Sequence, residues 1–132
     1  MDGIRSVAAF EGTLRGAIHQ FTYGCVRDLA RPLGELLVSY WQQAPISVEL
    51  IVPVPLHLTR LRQRGFNQAS LLITKWSKQE GSAHDKYLLW RCRKTDPQSG
   101  LGGKERRRNL KGAFDVRESE RIQDKRILLV DD

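Results

Sequence analysis

Between positions 13 and 41 apolar residues recur every three or four places: Leu14, Ile18 and Phe21, then Val26, Leu29, Leu33, Leu36, Leu37, Tyr40 and Trp41. This is the period of an amphipathic helix. Gly24 predicts a break into two helices. Asp28 lies near the start of the second, which accommodates Pro32 only in its first turn. Residues 48–54, Val-Glu-Leu-Ile-Val-Pro-Val, are rich in β-branched side chains and predict a strand that Pro53 and Pro55 end. From Asn67 to about Lys78, Ala69, Leu71, Leu72, Ile73 and Trp76 predict another helix, and Tyr87 to Cys92 a second strand. Residues 93–111 carry Gly100, Gly102, Gly103, many bases and few apolar side chains. They are expected to form a long mobile loop, of a length that is usually functional. Ala113 to Val116 predicts a short strand, and Gln123-Asp124-Lys125 a turn into the last one.

That last strand, Ile127-Leu128-Leu129-Val130, is continuously apolar, as expected of a strand buried on both faces of a parallel sheet. It runs straight into Asp131-Asp132, at the carboxyl end where such sheets bind ligands. A strand-helix-strand unit with a buried final strand predicts an α/β fold. The expected organisation is a single domain over 1–132, with a helical region at 1–46 and a sheet core with its loop at 47–132. A pocket at the acidic pair needs a following loop to close it, so the chain is expected to be truncated.

Composition narrows this picture little. With 40% hydrophobic and 28% charged residues, 132 positions suit one globular domain. No stretch approaches the roughly 20 apolar residues of a membrane span, and the start lacks the order of a signal peptide. A cytoplasmic protein is expected. Cys25 and Cys92 cannot by themselves make a zinc site. Buried free thiols are the expectation, against a disulfide or a metal ligand.

Charge changes the picture more, through its distribution. The net +7 divides into −1 over residues 1–50 (four Arg, five acids) and +8 over residues 51–132 (eighteen Lys and Arg, ten acids). The basic part suits an anionic partner, and phosphorylated small molecules and nucleic acid both qualify.

Three segments carry candidate chemistry. Pro53 to Gln68 combines a strand end, a constrained turn and the alternate arginines Arg60, Arg62 and Arg64. Exposed backbone N–H groups and arginine forks suit a pyrophosphate, although a solvated charged stretch has the same composition. His57 lies in that turn without an assigned proton-transfer role. Arg91 to Leu110 is a basic, glycine-bearing loop able to close over a polyphosphate, or to act as a tether or nucleic-acid patch. Asp131 and Asp132 can accept hydrogen bonds from ribose hydroxyls or face a magnesium ion carried by a phosphorylated substrate; pairing with nearby arginines is the structural alternative.

These residues resemble the ComF family of type I phosphoribosyltransferase-like proteins. The matching stretches are Val52-Pro53-Val54-Pro55-Leu56-His57, Arg60-Leu61-Arg62, Arg64-Gly65-Phe66-Asn67-Gln68-Ala69, Arg93-Lys94-Thr95 with Gln98, Glu105-Arg106, Arg108-Asn109-Leu110, Gly112-Ala113-Phe114 and Ile127 to Asp132. The leading stretch from Leu14 to Ile18, with Tyr23 and Arg27-Asp28-Leu29, is similar too.

The resemblance implies a phosphoribosyltransferase-like parallel-sheet core with N-terminal helices, a mobile hood loop and a role in bacterial competence and DNA uptake. By position it places Leu56, His57, Leu58, Thr59 and Arg60 in a pyrophosphate-binding turn. Arg93, Lys94, Thr95, Gln98, Arg106 and Arg108 fall in the hood, and Asp131 and Asp132 on the ribose as the catalytic pair. The implied ligand is phosphoribosyl pyrophosphate (PRPP), or a related phosphorylated ribose, with Mg2+ carried on it and no direct protein ligand to the metal.

The chain departs from the family pattern twice. It lacks a four-cysteine N-terminal module, so no zinc is expected. It also stops before the Val-x-Thr-Thr-Gly stretch that holds the 5-phosphate, so it is expected to bind PRPP poorly and not to turn over. The alternative is a non-enzymatic accessory that binds single-stranded DNA, with Phe66, Trp76 and Trp90 as stacking aromatics.

Overall fold

A computed structural model describes residues 3–98 and 100–132 as a mixed α/β structure. Helix α1 (Gly12–Thr22) leads through a short 3-10 turn at Arg27–Leu29 into α2 (Ala30–Gln43). Gly24 falls in the predicted break, and Pro32 is the third residue of α2, where a missing N–H removes no intrahelical bond. Strand β1 (Leu50–Pro53) is followed by α3 (Leu58–Arg64), α4 (Gln68–Glu80) and β2 (Leu89–Arg91). Then come α5 (Gly103–Leu110), β3 (Phe114–Val116) and β4 (Ile127–Val130).

The strands form two separate pairs. β1 and β4 run parallel, Leu50 opposite Ile127 and Pro53 opposite Val130, so both strands end at the same level. The Val54 N–H donates to the Val130 carbonyl at 2.8 Å and carries this alignment past the ends. On its other edge β1 meets His84 in an isolated parallel bridge. β2 and β3 form an antiparallel hairpin with Arg91 opposite Phe114.

The core lies between the parallel pair and helices α2 and α4. Val38, Ile51, Ile73, Trp76 and Val130 are buried together, and the Trp41 and Trp76 rings meet edge-on at 4.5 Å. A neighbouring cluster of Phe21, Ala30 and Leu72 docks α1 on the same helices. Gln68, also buried, donates from Nε2 to the carbonyls of Phe21 and Thr22, meeting acceptors that the end of α1 leaves unpaired.

Three expectations need correction. Strand β4 is covered on one face only. Leu128 and Val130 turn to the core, but Leu129, on the opposite face by strand alternation, is 58% exposed. Both cysteines are free, but they are exposed rather than buried: Cys25 sits in a left-handed turn after α1 (φ 54°), and Cys92 lies just past β2.

The segment 93–111 is not a structureless loop, since α5 occupies much of it. Its helix formers begin after Gly102, whose N–H donates to Glu105 Oε2 at 2.8 Å, one half of a capping box. Helix α3 also goes beyond the sequence expectation. Its alternate arginines hide the period, whereas His57 Nδ1, which accepts from the Thr59 N–H, and left-handed Gly65 mark its two ends.

Candidate functional site

The aligned ends of β1 and β4 send two chain segments out side by side: Val54 to His57 from one strand, Asp131-Asp132 from the other. Asn67, the N-cap of α4, fixes the first segment. Its Nδ2 donates to the Val54 carbonyl at 2.9 Å, and its Oδ1 accepts from the Ser70 N–H at 3.0 Å. The second segment is held by α1, where the Thr22 hydroxyl donates to Asp132 Oδ2 at 2.6 Å.

Beyond these strand ends lies a cleft of about 680 Å³. Leu56, Arg60, Gln63, Arg64 and Asn67 line it from the turn and the helices after β1, and Asp131 and Asp132 from the end of β4. Helix α1 and its flanks contribute Phe10, Ile18, Thr22 and Tyr23. The hairpin and its connection contribute Arg91, Pro97, Gln98, Leu110 and Phe114. One wall is therefore cationic, another acidic, and the α1 side largely apolar.

Of the residues expected at a site, Leu56, Arg60, Gln98, Asp131 and Asp132 share this cleft. The others lie elsewhere. His57 caps α3, and Leu58 points outward at 61% exposure. Thr59 is half-buried in the first turn of α3. Arg93 braces the hairpin connection by donating from one terminal nitrogen to the carbonyls of Asn109 and Lys111, both at 2.8 Å. Lys94 is exposed, Thr95 is buried beside the cleft, and Arg106 and Arg108 lie exposed on α5. Asn109 closes the connection further, accepting from the Asp96 N–H and donating to the Asp96 carbonyl.

Arg91 is a cleft residue to which the sequence assigned no role of its own. Its guanidinium donates to Thr95 Oγ1 and lies 5.1 Å from the centre of the Phe114 ring across the hairpin. The Nε–H is buried and has no partner among the described residues. Burial and the nearby Arg60 charge lower the stability of its cation, while Asp131 supports it. The exposed aromatic Tyr23, with Arg64 placed 5.6 Å from its ring centre, was also missed as a cleft residue.

The two acids are not equivalent. Asp131 keeps solvent access but is set into the cleft, and the loss of surrounding water pushes its carboxyl above the ordinary range. The adjacent Asp132 charge acts in the same direction, and Arg91 opposes both. Among the described residues no group of three His, Cys, Asp or Glu is placed to hold a metal. Two adjacent carboxylates fit a hard cation that brings phosphate and water oxygens with it.

The aromatics considered for single-stranded DNA separate clearly. Trp76 is fully buried and offers no free face, whereas Phe66 is half-buried, packed on the α1 cluster with Arg27 5.9 Å from its ring centre. Trp90 is 38% exposed, with Arg117 5.5 Å from its ring centre. No helix among the described residues is long and apolar enough to cross a membrane.

No protein-family model matches the chain. It is 40% identical over 85 residues to Competence protein F of Haemophilus influenzae, covering 64% of this chain and 37% of that protein. It is 34% identical to DNA utilization protein YhgH of Salmonella typhi and 33% to that of Escherichia coli K12, each over 132 positions, 96% of this chain and 57% of the relative. The chain thus spans little more than half the length of these relatives at most. The likenesses support a ComF-like family.

Proposed function

We propose that the cleft binds a ribose bearing phosphate and pyrophosphate groups, PRPP or a close analogue, together with Mg2+. The observation that carries this reading is the meeting of Arg60, Arg91, Asp131 and Asp132 on one cleft at the ends of two parallel strands. Arginine forks match phosphoryl oxygens, and adjacent carboxylates accept hydrogen bonds from vicinal ribose hydroxyls. Magnesium, when bound, neutralises phosphate charge. The family likeness and the relatives' names support an association with competence and DNA uptake.

Transfer of the ribosyl phosphate is the reaction such a site serves. The C1–O bond to pyrophosphate breaks, its electron pair leaves with the pyrophosphate, and a nucleophile bonds to C1 as the ring passes through an oxocarbenium-like state. The chain's part is positional: Asp131 and Asp132 hold the ribose face, and the arginines stabilise the departing charge.

Isothermal calorimetry tests the binding step. Mg-PRPP titrated to millimolar concentration should give weak but saturable heat with the 132-residue chain, lost in the double variant Asp131→Asn, Asp132→Asn. Absence of heat in the unaltered protein overturns the reading. A single-stranded oligonucleotide run in parallel addresses the second reading, which the Trp90–Arg117 pair favours. Steeply salt-dependent oligonucleotide binding with no response to Mg-PRPP would replace the sugar-phosphate site by a DNA surface.

A further inference from the structure

Resting on the sugar-phosphate reading of the cleft, we infer that Asn67 and Gln68 are positioning residues that fix the distance between the wall carrying Arg60 and the wall carrying Asp132, and so make the cleft select a ligand that touches both. The two stand side by side at the start of α4 and reach in different directions. Asn67 Nδ2 donates to the Val54 carbonyl at 2.9 Å, which holds the turn that leads to Arg60. Gln68 Nε2 donates to the carbonyls of Phe21 and Thr22, each at 3.3 Å, and the Thr22 hydroxyl donates in turn to Asp132. A hydrogen-bonded path therefore runs from one wall through the dipeptide to the other.

Packing around the dipeptide points the same way. Left-handed Gly65 (φ 79°) turns the chain sharply between α3 and α4, and the residues on either side of it meet the end of α1. Arg64 lies 5.6 Å from the centre of the Tyr23 ring, and the Phe66 and Phe21 rings are 6.0 Å apart. Gln68 itself is 1% exposed. An amide there carries a desolvation cost that a methionine of similar bulk avoids, and its Oε1 has no partner among the described residues. Filling the core does not call for glutamine; two aimed N–H bonds do. A ligand that contacts both walls gains from their fixed spacing, because its second contact forms with the orientation already set. A ligand that contacts one wall gains nothing from it.

Calorimetry with Mg-PRPP and Mg-pyrophosphate, both carried to millimolar concentration, separates the two cases on the unaltered chain and three variants. Gln68→Met keeps the bulk and removes both N–H bonds; Mg-PRPP should bind about tenfold more weakly, the effect of one to two ordinary hydrogen bonds. Mg-pyrophosphate, which meets only the cationic wall, should change by less than about twofold. Asn67→Ser keeps an acceptor for the Ser70 N–H, and with it the cap of α4, but lacks the amide that reaches Val54; it should weaken Mg-PRPP with the same selectivity. Gln42→Met, the same replacement at an exposed bond to Glu80, should change neither probe. Amide exchange supplies a readout that needs no ligand. Residues 21–23 should open faster in Gln68→Met, and Val54, Leu56 and His57 in Asn67→Ser, while Ile73 and Trp76 keep their protection.

Unchanged Mg-PRPP affinity in both folded variants overturns the positioning role and leaves the cleft reading standing. Equal weakening of the two probes means a general loss of structure and overturns it as well, as does a matching loss in Gln42→Met. If Gln68→Met does not fold, Asn67→Ser decides alone. If the unaltered chain binds neither probe, the cleft reading falls and this assignment with it.

Discussion

The two strand pairs of this protein are built on opposite terms. β1 and β4 are joined by parallel register and sealed on one face by α2 and α4, with Ile51, Trp76 and Ile73 at no measurable exposure. β2 and β3 have no comparable apolar seal; β3 is half-buried only at Phe114, and the connection between the two strands carries most of its residues exposed. What holds it is local polar bracing: Arg93 to two carbonyls, Asp96 to Asn109, Arg91 to Thr95. One pair fixes where two strand ends stop, while the other brings cations to them on a lightly held arm. The cleft is the seam between a strand pair sealed by an apolar core and a strand pair held by local polar bonds.

The contrast is broken most forcefully from the platform side. Trp76→Ala should cost about 3–5 kcal/mol through lost burial and a residual cavity, read as a lowered urea midpoint for the whole chain. A cost below about 1 kcal/mol would mean that the parallel pair is not the stability centre. Arg93→Ala probes the arm. Amide exchange should rise about tenfold for residues 96–110, with the melting temperature nearly constant, because the lost bonds are exposed and local. A fall in global stability as large as that of Trp76→Ala would erase the distinction.

The smallest expected effect lies at the seam. The folded protein holds the Asp131 proton more tightly than the unfolded chain does, so stability falls as pH rises through and above the ordinary carboxylate value of 3.8. Asp131→Asn should therefore melt higher than the unaltered chain at neutral pH, with the gain disappearing below that value. A variant that melts lower at neutral pH would show that the ionised carboxylate stabilises its surroundings.

Much of the platform was legible in the sequence because it is written in apolar periods. The helices around Leu33 and Leu72, the strand through Ile51 and the final run to Val130 lie where spacing and β-branching put them. The one-sided cover of β4 was not legible, since a continuous apolar run does not say whether anything packs on Leu129. Helix α5 escaped notice because its three arginines and flanking glycines resemble a loop, although Glu105, three positions after Gly102, is a capping signal.

At the cleft, the positions of Leu56, Arg60 and the acidic pair were legible from the strand ends, whereas His57, Leu58 and Thr59 belong to the start of α3 instead. The arm was legible only as a basic segment. Of its many cations the fold turns Arg91 to the cleft and gives Arg93 to backbone carbonyls, a choice set by hairpin pairing and by Thr95 rather than by composition.

The Thr22–Asp132 hydrogen bond ties helix α1 to the residues that follow β4, and Gln68 pins that same helix terminus to α4. Thr22 thereby occupies one oxygen of the Asp132 carboxylate. This one contact staples α1 to residue 132 across 110 positions of sequence, so losing it in Thr22→Val should loosen the end of α1 before it disturbs the parallel strand pair.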